Sequence, residues 1–279
     1  MPVSTIRNIT ELHARKMHDQ REILVYPTTS KGVEQQIVET DGCMLPVFTV
    51  REDEGDRRKK KKLHWKEGRL ALAHEQGSVS PKFDATFDEG VDAAGQSLVN
   101  CAILAGLGTN TKIHSVGDGA PWIEDQVKKK FKSKANYLID FYHICEYLSD
   151  ASKSCASNED NWIETQKAFL KANQYTLVLE NLKLHLEIDD IDDKKAPVRA
   201  CYRYLSNRTD QLDYKGAIEK ELPIGSGEIE SAHRYVIQKR LKLSGAWWKV
   251  DNLRPMLTLR VIRANGEWEK YWDNSAVAA

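Results

Sequence analysis

Apolar residues recur at loose helical spacing between Thr5 and Leu24, where Ile6, Ile9, Leu12, Met17 and Ile23 define one face, so this stretch predicts a helix. Thr28 to Gly32 reads as a linker. Two short β-type runs follow, Glu34–Val38 and Met44–Val50, on either side of Asp41-Gly42; this predicts a hairpin or a strand with a sharp exit. Trp65–His74 predicts a further strand, with Leu70 and Leu72 alternating against Ala71 and Ala73. Val91, Ala94, Leu98, Ala102 and Ala105 give Asp88–Leu107 a helical period, closed by Gly106 and Gly108. A strand at Lys112–Val116 runs into Gly117-Asp118-Gly119-Ala120-Pro121-Trp122. Pro121–Phe131 then predicts a helix whose proline sits in the first turn, where its missing N–H costs little. Ala135–Asp140 predicts a strand and Tyr142–Ser152 a helix. From Asn158 to Asn207 the patterning is helical only, with Leu177, Leu179, Leu182, Leu184 and Leu186 prominent before an acidic break at Asp189–Asp193. The chain is helical again from Ile229, in a stretch that holds Trp247, Trp248, Trp268 and Trp272.

This order implies a mixed sheet with helices on its faces. Three candidate strands before the first long helix suggest an antiparallel meander, and the later strand–helix–strand pieces suggest parallel additions.

Composition narrows the classes. The 279 residues are 41% hydrophobic, enough for a sizeable core, and Lys+Arg 41 balances Asp+Glu 41, so net charge argues neither for nor against nucleic acid. Five scattered cysteines with no CxxC pair argue against a zinc knuckle and for small buried hydrophobes in a reducing compartment. No apolar run approaches the ~20 residues of a membrane span. The first 30 residues lack a signal-type hydrophobic region, so a cytoplasmic protein is expected. Arg51–Lys62 is almost wholly charged; it reads as a solvated loop or as a phosphate-contacting one.

Three acidic residues stand where strand or helix ends would expose them: Asp41 before Gly42, Asp118 between Gly117 and Gly119, and Glu230 in the first helical turn after Gly225-Ser226-Gly227. Carboxylate oxygens of this kind suit Mg²⁺ or Mn²⁺, and two such ions a few Å apart activate water at a phosphodiester. Each signal alone also fits plain structure: Asp-Gly is a common turn, and an acid in a helical first turn complements the helix dipole. Their joint placement strengthens the catalytic reading.

The blocks TDG (Thr40–Gly42), VGDGAPWI (Val116–Ile123), LIDFYHICEYL (Leu138–Leu148) and PIGSGEIESAHRYVIQKRLKLSGAWW (Pro223–Trp248), followed by LRPMLTLRVIRANGEWEKYW (Leu253–Trp272), resemble the DDE transposases of bacterial insertion sequences, specifically the Kra-type group. The resemblance runs from about Glu34 to Trp272. It implies an α/β, ribonuclease H-like fold: a mixed five-stranded sheet flanked by helices, with an all-helical insertion before the last catalytic helix. The implied organisation is an N-terminal helical remnant and linker at 1–32, a first core part at 33–157, the insertion at 158–222, and the catalytic and C-terminal helices at 223–279. Asp41, Asp118 and Glu230 match the catalytic, metal-holding acids, with Mg²⁺ or Mn²⁺, in two ions, as cofactor. Glu228 is the rival for the third position; two residues from Glu230, it points to the other side of a helix. Arg234, Lys239, Arg240 and Lys242, with Arg58 and Lys60 of the charged stretch, are the expected phosphate contacts. Asp140 and His143 are secondary site candidates, with a helix N-cap and a satisfied buried histidine as their structural readings. Trp247 and Trp248 read as core packing ahead of base stacking.

The resemblance implies cleavage and strand transfer at insertion-sequence ends, with double-stranded DNA as partner, homo-oligomers on DNA, and a place at the bacterial nucleoid with no membrane contact. Full-length relatives carry a sizeable N-terminal region where this chain has about 30 residues, so a truncated copy is one expectation. The other readings are a catalytically inactive or domesticated DNA-binding protein, and a metal-dependent nuclease of the same fold.

Overall fold

The structure is a computed structural model that describes residues 1–21, 24–27, 29–50 and 61–277; the side chains of 274–277 lie outside that description. In chain order the elements are α1 (Val3–Asp19), β1 (Gln35–Val50), β2 (Lys61–Glu75), β3 (Lys82–Phe87), α2 (Val91–Leu104), β4 (Lys112–Gly117), α3 (Pro121–Phe131) and β5 (Ala135–Ile139). A helical run follows: α4 (Phe141–Cys155), α5 (Glu159–Lys171), α6 (Tyr175–Lys183), α7 (Pro197–Ser206) and α8 (Tyr214–Glu219). The chain then forms α9 (Gly227–Ala232), a π-helical segment (His233–Gln238), α10 (Lys239–Leu241), α11 (Val250–Ala264) and α12 (Trp268–Val277). The strands form a mixed five-stranded sheet in the order β3-β2-β1-β4-β5, flanked by helices.

The chain divides into two compact units, Met1–Ile113 with Asp125–Lys134 and Gly227–Ala279, and His114–Glu124 with Ala135–Ser226. In the first unit β1, β2 and β3 make an antiparallel meander, with Val50 opposite Lys61, Asp41 opposite Leu70, and Leu72 opposite Phe83. Alternation along each strand builds two faces. One carries Leu45, Val47, Leu70, Leu72, Phe83, Ala85 and Phe87, and packs with Ala14 and Met17 of α1, Ile229 and Ala232 of α9, Val236 and Ile237 of the π segment, and Leu253, Met256 and Leu257 of α11. Burying each such large side chain contributes roughly 1.5–3 kcal/mol. The other face meets α2, where Gln36 donates to the Ala102 carbonyl (3.0 Å) and Cys101 to the Ala71 carbonyl (3.3 Å). Ala71, Ala73, Ala94 and Ala102 are all fully buried there, and their small size lets α2 approach this closely.

Two expectations are overturned in this unit. Asp41-Gly42 is neither a turn nor a strand end: β1 runs unbroken from Gln35 to Val50, because β2 pairs with it on both sides of Gly42. Cross-strand pairing here overrides a local turn preference. The third strand of the meander is β3, whose Phe83, Ala85 and Phe87 alternate inward, and the two runs about Asp41 are one strand. The first helix keeps only Ala14 and Met17 buried; Ile6, Ile9 and Leu12 are exposed.

In the second unit α4 lays Ile144, Leu148, Ala151 and Cys155 inward at helical spacing. Asn158 caps α5, Asp213 caps α8 and Pro197 opens α7. Tyr214 is fully buried and donates to the Ile139 carbonyl at 2.9 Å. All residues from Glu159 to Glu219 that are in regular structure are helical.

Candidate functional site

The first unit presents a carboxylate-rich edge where α9 lies along β1. Glu39 is fully buried, and its Oε2 accepts the Ile229 N–H at 2.9 Å, which ties the first turn of α9 to the strand. Two residues further along the same strand face, Asp41 has its Oδ2 3.7 Å from His233 Nε2. The spacings match: four helical residues advance about 6 Å and two strand residues about 6.7 Å. Helix and strand therefore run in step, and Glu39 and Asp41 meet successive turns. Asp41 keeps 38% of its side chain exposed, and its Oδ1 accepts the Gly42 N–H at 2.6 Å.

His233 is buried, and burial, reinforced by the Lys242 cation, pushes its pKa down to about 4 against an opposing pull from the Asp41 backbone. The ring is neutral near pH 7, so its 3.7 Å approach to Asp41 is a contact between a carboxylate and a neutral imidazole, not an ion pair. The helix widens to π geometry from this residue on, a local distortion that often accompanies function. Cys43, the next residue inward on this face, has its thiol pushed up to about 12 by burial and holds no thiolate.

The two glutamates of α9 part company. Glu228 pairs with His74 on β2, Oε2 to Nε2 at 2.8 Å. Burial works against charge on His74, but its bonds to Glu228 and to the Glu75 backbone outweigh this and raise its pKa. Glu230 is exposed.

In the second unit Asp118 directly follows β4. Its carboxylate is exposed, and Oδ1 accepts the Ala120 N–H at 2.8 Å. The loop backbone is pinned by side chains that sequence patterning did not single out. Tyr204 donates to the Asp118 carbonyl (2.7 Å), Arg208 to the Gly119 carbonyl (3.2 Å), and Gly119 N–H donates to the Tyr137 hydroxyl (3.2 Å). Gly119 has φ +81°, and a Cβ there would stand 2.3 Å from the Tyr204 oxygen, so no other residue fits. Tyr204 stacks on Tyr147 at 4.3 Å, and the Arg208 guanidinium lies over the Tyr204 ring, 4.4 Å from its centroid. Their only sequence signal was two polar-tipped side chains one turn apart at the end of an amphipathic helix.

Asp140 is 4% exposed and holds four hydrogen bonds. Its Oδ1 accepts the N–H groups of Tyr142 (2.6 Å) and His143 (3.1 Å), and its Oδ2 accepts the N–H (2.7 Å) and hydroxyl (2.6 Å) of Ser226. It caps α4 and ties down the Gly-Ser-Gly segment. Gly225 is required beside it, since a Cβ would meet the Tyr142 ring at 2.6 Å. His143 stands 3.5 Å from Glu146 and edge-on to Tyr147 and Tyr204, half-buried.

Arg234, Lys239, Arg240 and Lys242 are exposed; Arg58 and Lys60 lie outside the described residues. Trp248 packs against the core, but Trp247 is 45% exposed, contrary to the core expectation. Asp41 and Glu230 belong to the first unit and Asp118 to the second. Among the described residues no group of three or more His, Cys, Asp or Glu is arranged to hold a metal ion. The chemistry of the three acids, all oxygen donors with solvent access, fits Mg²⁺ or Mn²⁺. Among the described residues no helix is long and apolar enough to cross a membrane.

Fold and site thus define an α/β protein with accessible acids on a central strand, after a neighbouring strand and at a helix start. Residues 106–273, more than half of the chain, match the Uncharacterised protein family (UPF0236), and the chain belongs to that family. It is similar to UPF0236 proteins of Caldanaerobacter subterraneus subsp. tengcongensis. One is 28% identical over 166 residues, 57% of this chain and 33% of its own length; a second is 28% identical over 167 residues, again 57% and 33%. The matched stretch therefore covers about a third of these curated relatives. Such proteins occur as many paralogues in that one genome.

Proposed function

We propose that this chain is the catalytic part of a DDE-type transposase, which cuts and joins DNA at the ends of an insertion sequence. The observation that carries the reading is the placement of the three acids: Asp41 on β1, Asp118 directly after β4, and Glu230 in the first turn of α9. The strand order 3-2-1-4-5, with its first three strands antiparallel, supports a ribonuclease H-like fold, in which a first-strand acid, a fourth-strand acid and a late-helix acid act together. The engagement of Glu228 with His74 favours Glu230 as the third acid. Multiplication of paralogues in one genome is how mobile elements behave.

In this reading Asp41, Asp118 and Glu230 would hold two Mg²⁺ or Mn²⁺ ions, whose chemistry is to activate the attacking oxygen and stabilise the leaving one. Glu39 fixes the helix that carries Glu230, and Tyr204, Tyr137 and Arg208 fix the loop that carries Asp118. Arg234, Lys239, Arg240 and Lys242 contact phosphates and so position DNA without reading its sequence. Water attacks a phosphodiester in line and leaves a 3′-hydroxyl, which attacks target DNA with no covalent enzyme intermediate. Work on DNA as a homo-oligomer at the bacterial nucleoid belongs to the same proposal.

A strand-cleavage and joining assay with Mg²⁺ or Mn²⁺ tests it, with Asp118→Asn as control. Cleavage and joining by the wild type alone support the reading. Cleavage without joining would identify a nuclease, and DNA binding without cleavage an inactive DNA-binding protein. Equal cleavage by both proteins would sink it.

A further inference from the structure

Between Glu230 and Asp251 the chain holds no acidic residue but five cations, Arg234, Lys239, Arg240, Lys242 and Lys249. Inside this stretch a tight turn, with Ala246 N–H to the Leu243 carbonyl (3.1 Å) and Gly245 at φ +73°, delivers the chain to the edge of β1. There Trp248 joins the strand: its N–H reaches the Pro46 carbonyl at 3.1 Å, its carbonyl accepts the Phe48 N–H at 2.9 Å, and it forms a parallel bridge with Val47. Side chains alternate in such a pairing, so with Trp248 packed on the core, Trp247 and Lys249 face outward together, about 6.7 Å apart. Trp247 is 45% exposed in a stretch of sequence rich in cations, so it offers an aromatic face to solvent close along the chain to positive charge.

We propose that the outward face of this added strand binds an unpaired stretch of DNA, a base lying on the Trp247 ring and a neighbouring phosphate on Lys249. The proposal rests on the DNA-processing reading above and deepens it. An aromatic face takes any base, whereas in a duplex the base faces are already stacked on one another; the surface therefore selects single strands. The cations supply affinity without sequence preference.

Fluorescence polarisation of a labelled twelve-nucleotide oligothymidylate tests this, in EDTA so that no catalysis contributes. Wild type binds it; Trp247→Ala binds about tenfold or more weakly, the usual size of a lost stacking contact. Trp247→Phe stays within about threefold, and Lys249→Gln lowers the salt dependence by about one phosphate contact. Affinity for a duplex of the same length is unchanged in Trp247→Ala. No binding by the wild type, wild-type affinity in Trp247→Ala, or an equal loss on single strand and duplex would each overturn the proposal. So would sedimentation showing that Trp247→Ala only dissociates a dimer, since the face would then join two copies. The catalytic reading fails separately: cleavage that survives Asp118→Asn leaves the oligonucleotide result standing.

Discussion

Asp140 and Asp41 show two opposite uses of an aspartate on this sheet. Asp140 is sunk in the second unit, both oxygens saturated by four donors, and it joins the start of α4 to the Gly-Ser-Gly segment. Asp41 sits on β1 of the first unit with 38% of its side chain in solvent, beside a histidine held neutral. A buried carboxylate whose lone pairs are filled by protein donors is a structural tie; one that keeps solvent contact can still meet a ligand. Asp118 belongs with Asp41: its carboxylate is exposed, and the pinning falls on its backbone.

Substitutions separate the two uses. Asp41→Asn and Asp118→Asn are expected to lower metal-dependent strand cleavage by about 1,000-fold or more, roughly the several kcal/mol a metal contributes to the transition state. Their urea midpoints should stay near wild type. Asp140→Ala reverses the pattern: it strands four donors and should cost about 3 kcal/mol by urea denaturation. A stable Asp140→Ala, or an unfolded Asp118→Asn, would break the comparison.

Smaller effects follow from the two histidines. His233 has its pKa depressed from 6.5 to about 4, so between those values the unfolded chain takes a proton that the folded chain refuses. Stability contributed by the neutral ring is therefore lost as pH falls through that window, by up to about 3 kcal/mol. Thermal denaturation of His233→Gln should show a shallower fall from pH 6.5 to 4 than wild type. His74 has its pKa raised, so its pairing with Glu228 is fully present below pH 6.5 and fades as pH rises through the folded value. Glu228 is 39% exposed, and solvent screening keeps the gain small, on the order of 0.5 kcal/mol. Glu228→Gln should be slightly less stable than wild type at pH 6 and equal to it at pH 9.

Much of this fold was legible along the chain. Pro121–Phe131 was readable to the residue from its proline and its period, and the helical run after Asn158 from its apolar spacing. Gly42 misled because a dipeptide shows local turn preference and not the fifteen residue pairs that hold β1 against β2. The alternation of Phe83, Ala85 and Phe87 is three residues deep and easily lost between two loops. For the candidate site, the glycines flagged Asp118 and the helix flagged Glu230. The supports did not show, because Glu39, Tyr204 and Arg208 act across 190, 86 and 89 residues of sequence. Trp247 was misjudged because adjacent tryptophans read alike, and only the strand edge that Trp248 joins sends them to opposite sides.

In the proposed transposase, Asp41, Asp118 and Glu230 would hold the metal ions and Glu228 would take no part. Titration of the protein with Mn²⁺, followed by electron paramagnetic resonance of the free ion, tests this most directly. The wild type and Glu228→Gln should bind Mn²⁺ alike, and Asp41→Asn, Asp118→Asn and Glu230→Gln should each weaken binding at least tenfold. Wild-type binding in all three of those variants, or a loss confined to Glu228→Gln, would contradict it.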